Sequence, residues 1–188
     1  MQEYVKSGKD AILLPIGSME GHGYHLPLNT DTVIAEEIAT RVAKKEGLIS
    51  IQPLTYTIAV RGRVGNVEMS ESVFKGMVME VMENYMTFGL KRLIIVLGHG
   101  GPTMRRTLVE VASDLASKNP NLHVSILHIL RIVPLISSLD ISRDTHAGEW
   151  ETSLMLHLKP EVVGEERVKE FDLTSRHGVH GDATIATR

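Results

Sequence analysis

The sequence predicts a single α/β domain built on an open, largely parallel sheet. Two observations lead there. Short apolar runs alternate with longer amphipathic stretches in a β-α-β-α order, and neither an internal repeat nor an evident linker divides the chain. A hydrophobic fraction of 43% against 23% charged residues belongs to a chain that buries a core, and 188 residues suffice for one core rather than two.

Taken in order, "AILLPI" (Ala11 to Ile16) is apolar throughout and reads as a buried strand. "TVIAEEIATRVAKKEG" (Thr32 to Gly47) sets Val33, Ile34, Ile38 and Val42 on one helical stripe and ends on a glycine. "LISIQPL" (Leu48 to Leu54) gives a second strand, and "SESVFKGMVMEVMENYMTFG" (Ser70 to Gly89) a second helix with a similar glycine stop. "KRLIIVLG" (Lys91 to Gly98) is the clearest buried strand. It precedes "PTMRRTLVEVASDLASKN" (Pro102 to Asn119), a helix opening on a proline that forfeits no hydrogen bond in the first turn. "LHVSILHIL" (Leu122 to Leu130) follows as a strand, and "ETSLMLHLKP" (Glu151 to Pro160) as a short helix closed by its proline.

Composition narrows the partners. A formal net charge of -3 offers no broad attraction for nucleic acid or an anionic membrane. The longest apolar runs fall well short of the roughly 20 residues that cross a bilayer, and "MQEYVKSGKD" lacks a signal-peptide pattern, so a cytoplasmic protein is expected. With no cysteine, disulfides and thiolate sites are excluded, and any metal must be held by His, Asp and Glu.

In a parallel sheet ligands collect where strands run into helices at their carboxyl ends. Two such loops carry unusual chemistry. "GSMEGHGYHLPLNTD" (Gly17 to Asp31) follows the first strand; "GHGGPT" (Gly98 to Thr103) follows the third. Glu20 and His22, two apart, point the same way in an extended segment and can grip one ion. Asp31 stands where the loop becomes a helix, and His99 lies among glycines that let backbone approach a ligand. "DTHAGEWETS" (Asp144 to Ser153) adds His146, Glu149 and Glu151. Oxygen and imidazole donors in this mixture suit Zn, Mn or Fe.

Each signal has a plainer alternative. Asp31 alone is an acid set favourably against a helix dipole; "GHGG" alone is a backbone nest for phosphate; Glu149 and Glu151 alone are first-turn acids. His123, His128 and His157 sit in apolar patterns and read as structural. Met77, Met79, Met82 and Met86 form a core or oligomer stripe. His177 and His180 in "SRHGVHGDAT" belong to a polar, glycine-punctuated segment that resembles a functional loop.

"LLPIGSMEGHGYHLPLNTDT", "IIVLGHGGP" and "HAGEWETSLMLHLKPEVV" together resemble the creatininase (creatinine amidohydrolase) family, in order and spacing along most of the chain. The resemblance implies a layered α/β/α fold over residues 1–188 and assembly as a homohexamer; family members usually have a terminal helix after the point where this sequence stops, at "ATIATR". It implies two divalent ions per chain, Zn first and Mn or Fe as alternatives. Glu20, His22, Asp31 and His99 match metal ligands, Asp31 as the bridge. Glu151 matches a further ligand and His146 a proton-transfer histidine beside the metals; Glu149 is a reserve acid/base or orients an imidazole.

The implied activity is hydrolysis of a non-peptide carbon–nitrogen bond in a small cyclic amide or a formamide by metal-activated water. The alternative is a binding or scaffolding homologue with little turnover. Several residues depart from the family pattern. Leu97 and Pro102 replace two asparagines, Asn66 a threonine, and Gly101 and Thr145 stand where creatininases carry acids. These departures argue against creatinine itself as the substrate.

Overall fold

The structure, a computed structural model, describes residues 1–136 and 146–164, apart from the side chain of Pro134. Its elements run α1 (Gln2–Lys6), β1 (Ala11–Ile16), α2 (Thr30–Glu46), β2 (Ile49–Ser50), α3 (Glu71–Met86), β3 (Arg92–Leu97), α4 (Pro102–Lys118), β4 (His123–His128), α5 (Ile129–Ile136) and α6 (Glu149–Leu158), with a final 3-10 turn, Pro160–Val162. The four described strands form one parallel sheet in the order β2-β1-β3-β4.

Alternation of side chains along the strands divides the core in two. Ile12, Leu14 and Ile16 of β1 and Leu93, Ile95 and Leu97 of β3 pack against Phe74, Val78 and Met82 of α3 and Met104, Leu108, Val111 and Leu115 of α4. Leu13 and Val96 point the other way, onto Ile34, Ala35, Ala39 and Ala43 of α2, Ile129 and Val133 of α5, and Trp150 and Met155 of α6. Helices thus cover both faces, giving the layered α/β/α arrangement that the sequence implies.

Two strand ends differ from the sequence expectation. The second strand reads as running to Leu54, but regular pairing ends at Ser50. Pro53 has no N–H to give a ladder, and the chain instead follows β1 through bonds from Ile51 N to Leu13 O (3.0 Å) and from Leu54 N to Pro15 O (3.0 Å). The fourth strand reads as running to Leu130, but it stops at His128, opposite the last residue of β3, Leu97. With no partner beyond Leu97, the apolar Ile129 and the residues after it turn into α5. Gly47 ends α2 in the left-handed region (φ 63), the stop its sequence position suggests. No described helix is long and apolar enough to cross a membrane.

The order of the strands places the site. From β1 the chain leaves through α2 toward β2, on one side; from β3 it leaves through α4 toward β4, on the other. The carboxyl ends of β1 and β3 therefore flank the point where connections diverge, and a crevice opens there in sheets of this kind.

Candidate metal centre

Residues 17–31 and 98–101 meet at that crevice because glycines allow it. A Cβ on Gly98 would overlap the backbone carbonyl of Asp31, and one on Gly17 would overlap the backbone nitrogen of Thr32. Both strand ends can thus press against the first turn of α2, which delivers Asp31 into the gap between them. Thr32 Oγ1 donates to Ser18 O (3.2 Å) and Thr57 Oγ1 to Gly17 O (2.6 Å), so the loop after β1 is fastened on two sides.

Six of the seven residues singled out in the sequence converge here. Glu20, His22, Asp31, His99 and Glu151 are all buried, and His146 is half-buried at their edge. Their possible ligand atoms form three overlapping groups, each with all atoms within 4.8 Å of one another: Glu20, Asp31 and His99; His22, Asp31 and Glu151; Glu20, His22 and His146. Asp31 joins the first two through different oxygens. Its Oδ2 lies 3.0 Å from His99 Nδ1 and its Oδ1 3.2 Å from His22 Nε2, while Ser18 Oγ donates to Oδ2 (2.8 Å) and fixes the carboxylate's rotation. Glu149 is the exception: it is exposed at the start of α6 and belongs to none of the three groups.

Backbone contacts set the imidazole tautomers. His22 Nδ1–H donates to Glu20 O (3.0 Å), which leaves Nε2 facing Asp31 and, at 3.8 Å, Glu151. His146 Nε2–H donates to Gly21 O (2.6 Å), which leaves Nδ1 toward Glu20 Oε1, 3.9 Å away. The two rings lie side by side, centroids 4.1 Å apart. Glu151, three residues past the Gly148 cap of α6, reaches back to accept from Ala147 N (2.5 Å). Ala147 holds a left-handed backbone (φ 58), an uncommon conformation for a side chain with a Cβ, between the histidine and the helix it joins.

Without metal, protons balance the charges. Burial disfavours charge on His22, yet the carboxylates of Asp31 and Glu151 hold its pKa up at about 10. Burial likewise opposes protonation of His99, and the hydrogen bond to Asp31 together with the close Glu20 carboxylate raises it to about 10. Asp31, despite burial, is held well below the usual carboxylate range by His22 and His99, and Glu20 is lowered against its burial by His99. Burial pushes Glu151 up to about 8, against the pull of His22. Burial and the neighbouring His22 charge lower His146 to about 4.

One oxygen remains unmet. Glu20 Oε1 is buried and lies 2.8 Å from His99 Nδ1, but the single hydrogen on that nitrogen serves Asp31 Oδ2, so Oε1 receives no hydrogen bond from the described residues. A buried carboxylate oxygen without a donor is costly unless a cation meets it. Hard oxygens, imidazoles of fixed tautomer and the absence of sulfur fit divalent ions such as Zn or Mn.

Several contributors are hidden in the sequence. Asn66 Oδ1 accepts from Gly21 N (2.9 Å), the amide between Glu20 and His22, while its Nδ2 donates to Val60 O (3.0 Å). Its distance in sequence from the loop leaves no local signal. His25, which shares the loop with His22, is buried away from the ligand groups and bonds Thr152 Oγ1 (2.9 Å), tying the loop to α6. His177 and His180, along with Asp144 and Thr145, lie outside the described residues.

Comparison with known proteins gives concordant matches. A family model described as creatinine amidohydrolase covers residues 1–188. A creatinine amidohydrolase of Pseudomonas putida is 25% identical over 188 aligned residues, covering 87% of this chain and 70% of that protein. A mycofactocin precursor peptide peptidase of Mycobacterium ulcerans (strain Agy99) is 28% identical over 169 aligned residues, covering 84% of this chain but 62% of that protein. Among solved structures, a manganese creatininase superposes with a TM-score of 0.72 at 23% identity, covering 88% of this chain and 72% of that one. A mutant creatininase of the Zn-Zn type gives the same TM-score and identity, covering 88% and 71%. At that identity the two structures speak for the fold.

Proposed function

The chain belongs to the creatinine amidohydrolase family, and from that premise we propose that it is a metal-dependent amidohydrolase acting on a small cyclic amide or a formamide. The observation that carries this is Asp31, a buried carboxylate whose two oxygens serve two different groups of potential ligands. Glu20 and His99 would hold one divalent ion, His22 and Glu151 the second, and Asp31 both. Such ions, Zn or Mn, would bring the pKa of a bound water toward about 7 and polarise the amide carbonyl.

The remaining tasks fall to the protein's own groups. His146 has its Nε2–H committed to Gly21 O, which leaves Nδ1 free on the side of Glu20. Its Nδ1 is therefore the atom that takes a proton from the attacking water and passes it to the departing nitrogen. Asn66 and Ser18 keep Gly21 and Asp31 in place while this happens. This reading gives no step to Glu149, which is exposed and outside the three ligand groups.

The relatives' names range from a creatinine amidohydrolase to a peptide peptidase, so the substrate panel must span lactams, formamides and short peptides. Hydrolysis of one of these, abolished by chelation and restored by Zn or Mn at two equivalents per chain, is the expected outcome. One equivalent or fewer with no turnover across the panel would instead mark a binding or scaffolding homologue. Assembly as a cytoplasmic homo-oligomer, a hexamer by resemblance, is part of the same proposal; a monomer in light scattering would overturn that part.

A further inference from the structure

His128, at the carboxyl end of β4, is 7% exposed, and neither ring nitrogen has a hydrogen-bond partner among the described residues. A neutral imidazole carries one N–H donor, and burying it unmet is unfavourable unless a ligand answers it. Its surroundings are cationic. The charges of Arg105 and Arg131 act on the ring and, after burial, are the main causes that lower its pKa to about 4. Arg41, Arg61, Arg92 and Arg106 all pair with acids; among the described residues Arg63, Arg105 and Arg131 make no ion pair, and of these the half-buried Arg105 and the exposed Arg131 are the two that act on His128.

The group lies beside the metal centre. A Cβ placed on Gly100, in the loop that carries His99, would sit 4.0 Å from His128 Nε2. The next residue, Gly101, caps α4, whose first-turn amides point toward the same loop and whose fourth residue is Arg105. Two unpaired guanidiniums, an unmet imidazole and a helix N-terminus make a donor set without an acceptor.

We propose that His128, Arg105 and Arg131 form an anion subsite that binds a carboxylate or phosphate group on the substrate and so selects acidic amides for hydrolysis at the neighbouring metals. The proposal rests on the hydrolase reading for its biological meaning, but the subsite itself needs no metal. It is tested by titration calorimetry on the full-length, metal-free protein after the chelator is dialysed away, with inorganic phosphate in one arm and malonate in the other. One saturable site per chain is expected. Arg105→Gln and His128→Phe should each weaken it about tenfold or more, as loss of a charge-assisted or buried donor does. Arg41→Gln, remote from the group, should leave it unchanged. Binding in only one arm tells which anion the site prefers, and binding in either supports the subsite. Absence of saturable binding in both arms, or equal binding by Arg105→Gln and the parent, overturns it. Arg105 is only half-buried, so its variant decides the matter even if His128→Phe fails to fold. Because no metal is present, a negative result here leaves the hydrolase proposal standing, and a protein that loads no metal leaves this one standing.

Discussion

At the level of single residues, the centre depends on a few atoms whose roles can be separated. Glu20 supplies the buried oxygen that no donor meets. Glu20→Gln keeps the shape but removes the charge, and metal and hydrolysis should disappear together, as read by elemental analysis and assay on the same sample; a variant retaining two equivalents would refute the ligand role. His146 stands at the edge of the cluster, and the other two groups are complete without it. His146→Ala should keep its metal and lose turnover by about 10²–10⁴-fold, the usual loss for a positioned acid or base. If rate and metal both survive, the proton passes elsewhere. Much of this was legible in the sequence. Glu20 and His22 share one loop, Asp31 opens the helix that follows it, and His99 sits in a glycine run of its own. Glu149 could not be told from Glu151 by residue type. What separates them is helical phase: Glu151 faces back into the cluster and Glu149 faces out.

At the level of elements, the site exists because the first turn of α2 can approach the ends of β1 and β3. Gly98→Ala would force a Cβ into the Asp31 carbonyl, moving either the strand end or the helix. A loss of about 1–3 kcal/mol, typical of overpacking, together with weakened metal binding, is the expected result in denaturant titration. Gly76 is the control. It is exposed within α3 with nothing near its missing Cβ, so Gly76→Ala should gain about 0.5–1 kcal/mol through lower unfolded-state entropy. Equal effects from the two substitutions would contradict this explanation. The order of strands and helices followed from hydrophobic patterning, but the ends of β2 and β4 did not. β4 stops pairing where β3 stops, a length that belongs to its neighbour, while β2 loses its ladder ahead of Pro53, which has no N–H to give. Asn66 was equally out of reach, since its bond to Gly21 spans 45 positions.

At the level of the whole molecule, protons and metal ions compete for one buried cluster. His22 and His99 have folded pKa values near 10, above the ordinary 6.5, so the stability they give the metal-free protein is full below about 6.5 and drains as pH rises through 10. Glu151, raised to about 8 from 4.5, acts in the same direction between those values. The melting temperature of the chelated protein should therefore fall between about pH 7 and 10. Once metal replaces the protons the fall should flatten, and metal affinity should itself weaken as pH drops. Identical pH profiles with and without metal would contradict the account of the cluster. The divergence of the chain at β1 and β3 is what brings these groups to one place; the sequence put both loops at the carboxyl ends of parallel strands, but the strand order that opens the crevice came from the structure.

The central claim is a pair of cations sharing Asp31. Crystals of the full-length protein loaded with Zn or Mn and measured at that metal's absorption edge test it most directly. Two anomalous peaks flanking Asp31, one near Glu20 and His99 and the other near His22 and Glu151, are the expected result. No peak at this cluster, or a lone ion that Asp31 does not touch, would contradict it.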